Sequence, residues 1–532
     1  MWRLFLLFFP GLLIQVNHTL AERIVVSGNA AGKWNADTVR IINDITVSPD
    51  SVLMISPGVV VEFYGHYKIT VKGNVIAVGN EDHLIKFTVY DTTGFADSTT
   101  VSGGWHGIVF NDLPGSADSS KFSYCIFEFG KAVDTDSAGR YGGAFRIYGF
   151  SRISFNHCIF RNNYAYHWGG AVYAKLADIE IRNSKFYDNS CGQAGIPYGY
   201  GGGLCFVRSN PDISYNYFED NLSTGIGGAV SLEYSDAIVQ YNNFFNNKSA
   251  LGGALGYLRS YPDNFVSNNL FDQNEALFFG GGIACIRANT NFSNNTVVNN
   301  VSTYGGGFYA NDSAFPASYN TIFYNNFAYE GVEVYIWDVY SAPDFYYCNV
   351  PGGIMGFSGS GGQEGYHGIF VFNLDTIPMF KGTGDHPHAL EKDSPLVDAG
   401  TRDTMALHIP LNDFAGNPRI FNDRIDIGAY EWNPGEGFRH NKKKSVLSAS
   451  PNPCNQSVEI SFILQSPDRI SIRIYDMQGK PVMDLGSRKH SDGKYSVKWD
   501  LHTQSGEKAE AGTYLCTLMA ENYSESIKIV VQ

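Results

Sequence analysis

Between Tyr141 and Asn326 one short pattern is written seven times. Each copy opens on a glycine pair followed by a small residue and an apolar one, as in Gly142-Gly143-Ala144-Phe145 and Gly227-Gly228-Ala229-Val230. The other pairs begin at Gly169, Gly201, Gly252, Gly280 and Gly305. Each copy closes on an apolar residue, two variable ones and an asparagine, the last falling at Asn163, Asn189, Asn221, Asn247, Asn274, Asn300 and Asn326. The mean interval between glycine pairs is about 27 residues. A fixed period of this length demands stacked repeats, each covering the apolar face of its neighbour.

The segments between these landmarks are too short for helices and alternate apolar with polar residues, as in Ala171-Val172-Tyr173-Ala174, Ile179-Glu180-Ile181 and Ile213-Ser214-Tyr215. Alternation places one side of each strand inward. Three short strands and three turns fit one period, and stacking them gives in-register parallel sheets with ~4.8 Å between rungs. A propeller repeats at roughly 40–50 residues, which is too long. The expected fold is therefore all-β: a right-handed parallel β-helix. Asparagine at one place in every coil predicts a hydrogen-bonded amide ladder, and Asp178, Asp212, Asp236 and Asp263 are expected to recur at a second corner.

The paired motifs, Gly-Gly-Ala-apolar with Phe-x-x-Asn, resemble the repeat signature of the polymorphic outer membrane proteins, surface β-helix proteins of adhesin-like character. The resemblance spans about 186 residues and implies a β-helix at a cell surface. It carries no catalytic residues, and nothing in the chain matches that family's membrane barrel.

The chain has 532 residues, a net charge of −14 and only 17% charged residues, with 58 glycines, 33 tyrosines and 37 phenylalanines. That composition suits a β-solenoid with many turns. An acidic chain without a long basic cluster argues against a nucleic-acid partner. Residues 1–21 read as a signal peptide: Arg3, an apolar run from Leu4 to Ile14, and Thr19-Leu20-Ala21 as the cleavage site. No segment of the mature chain is long and apolar enough to span a bilayer. The eight cysteines form no CxxC pair, so no metal centre is expected from them. Buried single thiols are the expectation, with a Cys191–Cys205 disulfide left open by export.

Residues 22–140 are strand-like and are assigned to the N-terminal cap and first coils, and 141–355 to the regular repeats. Asp134, Asp136 and Arg140 fall in a loop before the first regular copy. Asp-x-Asp fits calcium, and a solvated turn is the preferred reading; no other cofactor is expected. Residues 356–437 form the C-terminal cap. They carry Ser394-Pro395-Leu396-Val397-Asp398-Ala399-Gly400, Asp413-Phe414-Ala415-Gly416-Asn417 and Asp426-Ile427-Gly428-Ala429-Tyr430-Glu431, which resemble the terminal module of many bacterial β-helices. Its acids are read as turn caps rather than a catalytic cluster. A basic linker, 438–447, follows.

From 448 to 532 strand-like runs come at short spacing: Val458 to Leu464, Ile470 to Tyr475, Tyr495 to Trp499, Thr513 to Leu518 and Ser526 to Val531. They predict a small immunoglobulin-like β-sandwich. With Ser450-Pro451-Asn452-Pro453, Ile474-Tyr475-Asp476, Trp499-Asp500 and Ala511-Gly512-Thr513-Tyr514 in order, this segment closely resembles the C-terminal sorting domain of type IX secretion in Bacteroidota. The resemblance implies passage through the outer membrane by the type IX machinery, then release or surface attachment.

Fold does not choose a function for the repeat surface. A lyase needs a base and a cation facing the substrate's carboxylate, and a glycosidase needs two carboxylates at a set separation. Counting six or seven residues from each glycine pair gives Lys175, Arg208, Glu233, Arg259 and Arg287, read as one outward row. His157 and His167 are read as structural. Tyr141, Trp168, Tyr200, Phe279 and Tyr304 precede glycine pairs and predict an aromatic stack. After Asn189 the connection lengthens to eleven residues, Ser190 to Tyr200. This loop is read either as a tolerated insertion with surface tyrosines or as folding over the row to wall a cleft, with Tyr198 and Tyr200 against a sugar, Lys175, Arg208 and Arg259 meeting its anionic groups, and Glu233 accepting from its hydroxyls. The function expected is binding of a polysaccharide or other surface glycan; the alternative is a polysaccharide lyase or glycoside hydrolase on acidic polysaccharide.

Overall fold

The computed structural model describes residues 22–532 except 112, 114–118, 135–137, 261–263, 403–406, 408, 422–423, 434–446, 465–467, 477–479, 491–492 and 520–523. The expected signal peptide, nearly all of the basic linker, Asp136 and Asp263 lie outside the described residues. The chain divides into two compact units. The first comprises Met1–Phe380, Ser394–Ile409 and Asp426–Ala429; the second comprises Lys381–Asp393, Pro410–Ile425 and Tyr430–Gln532.

The first unit is a stack of parallel coils. Six of the seven regular coils contribute four strands, one more than expected, and the last contributes three. In one coil they are Val172–Lys175, Glu180–Arg182, Lys185–Tyr187 and Ser190–Cys191. Each pairs in parallel with its counterpart in the next coil: Leu204–Val207, Asp212–Ser214, Tyr217–Glu219 and Leu222–Ser223. The fourth ladder lies between the ladder asparagine and the next glycine pair, where the spacing had suggested only a loop. In four coils this strand is only two residues long, too few to show alternation. Coil pairing begins at Arg23–Asn29 on Thr38–Val47 and continues to Phe370–Val371 on Asp344–Tyr346, past the expected boundary at 355.

The phenylalanines of the Phe-x-x-Asn motif fill the interior as one column. Phe160, Phe186, Phe218, Phe244 and Phe271, with Phe127 from the coil before them, are fully buried and stack with ring centroids 4.6–5.0 Å apart. That spacing equals the rung spacing of parallel strands, so identical coils place identical rings in register. Beside them the expected amide ladder runs unbroken from Asn163 to Asn326. Each Nδ2 donates to the next Oδ1 at about 2.9–3.0 Å, as from Asn163 to Asn189, Asn221 to Asn247 and Asn247 to Asn274. A second ladder, not anticipated from the sequence, links Asn216, Asn242, Asn269 and Asn295 at another corner.

The glycine pairs sit where coils touch. Gly227 has φ +69°, and a Cβ on Gly228 would lie 2.0 Å from the carbonyl oxygen of Gly253 in the next coil. The acidic corner is corrected. Asp178 and Asp236 flank Asn210, whose backbone N–H donates to Asp178 and whose Oδ1 accepts from Asp236. Asp212 instead lies within a strand, ion-paired with Arg182.

The acids of the terminal segments act as turn caps. Within the first unit, Asp426 Oδ1 accepts from the Asp398 backbone N–H at 2.6 Å. Gly428 N–H donates to the Asn320 carbonyl and Ala429 N–H to Thr296 Oγ1, fastening the 426–429 segment to the flank of the coils. Within the second unit, buried Asp413 accepts from the backbone N–H of Asn417 and of Glu431.

The rest of the second unit holds two antiparallel sheets. Ser448–Ser450, Val458–Leu464 and Gly493–Trp499 form one; Pro481–His490, Asp468–Asp476, Gly512–Met519 and Ser524–Val531 form the other. Ser448–Ser450 and Pro481–His490 are the strands the sequence reading did not assign. Val458, Ile460, Ile474, Trp499, Leu518 and Ile529 form the core of this small β-sandwich. No helix among the described residues is long and apolar enough to cross a membrane.

Candidate functional site

The first ladder of strands fixes where the expected row of charges falls. Its register runs Lys175, Val207, Glu233, Leu258, Ile286. Lys175 and Glu233 therefore share a row two rungs apart. Arg208, Arg259 and Arg287 lie one residue further, at the corner, with φ of 50°, 55° and 50°. The single row expected from the sequence is thus two adjacent rows. Counting to position six or seven mixed them, although the distance from glycine pair to strand is constant.

The corner row reads Leu176, Arg208, Tyr234, Arg259, Arg287, Asp312, all at positive φ. A left-handed backbone is costly for residues with a Cβ. Here each N–H is satisfied by the next coil: Arg208 by Glu233, Tyr234 by Leu258, Arg259 by Ile286 and Arg287 by Asn311, at 2.9–3.0 Å. The turn is thereby imposed by the stack, and it delivers these side chains to the surface.

Arg208 and Arg259 each place the guanidinium carbon 5.7 Å from the centroid of the Tyr234 ring. Tyr234 is 39% exposed. Arg259 Nη1 also lies 3.0 Å from Glu233 Oε1, and Arg287 pairs with Asp312 at 3.0 Å. Lys175 Nζ sits 5.7 Å over the Tyr148 ring. Among the described residues, no carboxylate lies within ion-pair distance of Arg208 or Lys175.

Tyr200 borders the same patch. Its ring stacks on Trp168 with centroids 4.9 Å apart and planes within 10°, and with Tyr141 and Tyr173 these rings cover Cys205. Burial first, then the Glu233 carboxylate, push the Tyr200 phenol above its ordinary value. Phe279 and Tyr304 continue the expected stack at 5.2 Å, after Ile226 and Leu251 interrupt it. His157 stacks on Tyr124, in keeping with a structural role. All eight cysteines are buried free thiols.

The long connection does not cover Lys175 and Arg208. Thr224 Oγ1 donates to the Ile196 carbonyl at 2.7 Å and accepts from Gly199 N–H at 3.1 Å, tying the loop to the fourth ladder. It walls a cleft of about 570 Å³ whose lining includes Ile196, Pro197, Leu222, Lys248, Glu275 and Phe278. Tyr198 is exposed, and its carbonyl accepts from Trp168 Nε1 at 2.9 Å. The structure thus places Arg208 and Arg259 over Tyr234, with Glu233 paired to Arg259, Tyr200 within electrostatic reach of that pair, and Lys175 two rungs before Glu233. The loop's cleft is separate. Tyr234 was missed because it occupies, as an aromatic, a row recognised by its arginines.

Asp134, expected in a solvated turn, instead faces two imidazoles. Its Oδ1 lies 3.3 Å from His66 Nε2 and its Oδ2 3.0 Å from His106 Nδ1.

Residues 146–328 match the family model of a right-handed beta helix region, and residues 448–532 that of a secretion system C-terminal sorting domain. Among solved structures, the chain is 24% identical to dimeric latent PorU of Porphyromonas gingivalis over 16% of this chain and 9% of that one, with a TM-score of 0.15. It is 22% identical to PorZ of the same organism, described as an essential surface component of the type-IX secretion system, over 16% of this chain and 11% of that one, with a TM-score of 0.13. The chain thus spans about a tenth of the length of each. The search of curated proteins gave no match. The first unit is therefore built on a right-handed parallel β-helix and the chain ends in a type IX sorting domain, the mark of a protein exported for attachment to the cell surface or for release.

Proposed function

We propose that the β-helix binds an acidic glycan along the corner row centred on Tyr234, without cleaving it. The observation that carries this reading is the flanking of an exposed tyrosine ring by Arg208 and Arg259, one rung to either side. Guanidinium groups take carboxylates and sulfates in bidentate fashion, and the tyrosine ring held between these two keeps them apart and presents its edge and hydroxyl to the ligand. The two arginines are two rungs apart, ~9.6 Å at the parallel-strand spacing, on the scale of a disaccharide. A polymer whose charge recurs once per disaccharide meets both. Lys175 and Arg287 extend the cationic line along the stack.

Binding without cleavage is favoured by the state of Glu233. Arg259 holds it in an ion pair, and its side chain is only 12% exposed. A glycosidase needs two carboxylates with distinct protonation states, and a lyase needs a free base beside its cation. The test is a panel of acidic and neutral polysaccharides incubated with the purified mature protein, reading retention and unsaturated-product formation. Retention on acidic polymers alone, with no product, is expected. Equal retention on neutral polymers, or product release, rejects the reading.

A further inference from the structure

We propose that His66, His106 and Asp134 form a binding site for a late first-row divalent cation, zinc being the ion the donors fit best. Successive coils bring them together. His66 lies between the strands Val60–Phe63 and Lys68–Val71, His106 directly precedes Gly107–Asn111, and Asp134 follows Lys131–Ala132. One donor atom from each lies within 4.8 Å of the others. The side chains are 12%, 7% and 28% exposed, so the site is sheltered and open on the Asp134 side.

The hydrogen bonding of His66 favours a cation. Its Nδ1 lies 3.2 Å from the Gly104 carbonyl oxygen, which can only accept. Nδ1 therefore carries the hydrogen, and when the ring is neutral its Nε2 lone pair faces Asp134 Oδ1, another acceptor. A cation between them turns this repulsion into coordination. A carbonyl on the far nitrogen is also the usual device that orients a ligating imidazole.

The surrounding shell is rigid. Trp105, between Gly104 and His106, is fully buried and donates from Nε1 to the Glu128 carbonyl at 2.8 Å. Lys131 Nζ donates to the carbonyls of Gly94, Asp97 and Ser102 at 2.8–3.0 Å, fixing the loop that leads into Gly104. Arg140 donates to the Asp134 backbone carbonyl at 2.8 Å and packs over Tyr166. Two imidazoles with one carboxylate suit zinc, copper or nickel rather than calcium or magnesium, which prefer all-oxygen shells. Three protein ligands with solvent beside them leave a fourth position for water.

The test is titration of the chelator-treated full mature protein with Zn²⁺, and separately with Co²⁺, whose visible spectrum reports coordination by nitrogen and oxygen rather than sulfur. One equivalent of zinc is expected, with a rise in Tm, a tetrahedral N/O cobalt spectrum, and no response to Ca²⁺. His106→Ala and the more exposed Asp134→Asn should each lower zinc affinity about 100-fold or more, with far-ultraviolet circular dichroism unchanged. Asp134→Asn serves as the deciding variant if His106→Ala fails to fold. Absence of a zinc equivalent, a thiolate-type cobalt spectrum, or zinc affinity unchanged in the folded variants overturns the proposal.

Discussion

The side-chain amide of Asn326 donates to Oε2 of Glu333 at 2.5 Å, so the amide ladder ends on a buried carboxyl group. Burial pushes that carboxyl up to about 7, against the ordinary 4.5, with the Asn326 contacts pulling the other way. Between these two values the folded state binds the proton that the unfolded state has released. Stability contributed by this group is therefore present at low pH and lost as pH rises through about 7. Glu333→Gln keeps an acceptor for Asn326 and removes the charge. It should raise stability at pH 8 by roughly 1–3 kcal/mol and change little at pH 4.5. Urea denaturation at the two pH values checks this; an equal effect at both would remove the carboxyl as the source.

Asn247→Leu interrupts the ladder at its centre. Asn221 would lose the Oδ1 that accepts from both its Nδ2 and its backbone N–H, Asn274 Oδ1 one of its two donors, and the Phe218 carbonyl its amide partner. With Asn247 fully buried, these orphaned groups should cost roughly 1–3 kcal/mol. Thermal unfolding of the variant gives the value, and an unchanged Tm would mean that the ladder contributes specificity only.

The two ladders show what the sequence makes legible. Asn163 to Asn326 stand out because each follows an apolar residue, phenylalanine in all but one copy, at a fixed offset within a constant repeat. Asn216 to Asn295 sit two residues before the same apolar residue, but in only four coils, so they merge into the background of asparagine-rich turns. Coil identity and glycine contacts are one-dimensional information. Which side of a corner a residue occupies is not: Arg208 and Glu233 differ by one position and belong to different rows. His66, His106 and Asp134 lie in coils without the glycine-pair register, and their meeting depends on irregular connections that spacing does not encode.

Gly228→Ala tests the contact between coils. Its Cβ would meet backbone atoms at 2.0–2.7 Å in adjacent coils, including the Gly253 carbonyl and Lys248. Backbone cannot rotate aside, so the loss should exceed about 4 kcal/mol, read as failure to accumulate folded protein. Wild-type yield and Tm would show that the coils separate at little cost.

Deleting residues 448–532 removes the sorting domain while leaving the β-helix coils intact. The truncated chain should remain periplasmic, where fractionation and surface proteolysis of cells locate it. Truncated protein at the surface or in the medium would show that export is directed elsewhere in the chain.

The most direct measurement is the affinity of the mature protein for an acidic polysaccharide as salt is raised, compared with Arg208→Ala and Arg259→Ala. Each arginine supplies a charge-assisted contact, so each variant should bind roughly tenfold more weakly. Each should also show a shallower salt dependence, with Tm unchanged in Arg208→Ala, whereas Arg259→Ala also removes the ion-pair partner of Glu233. Affinity that is indifferent to both substitutions would contradict binding at the Tyr234 corner.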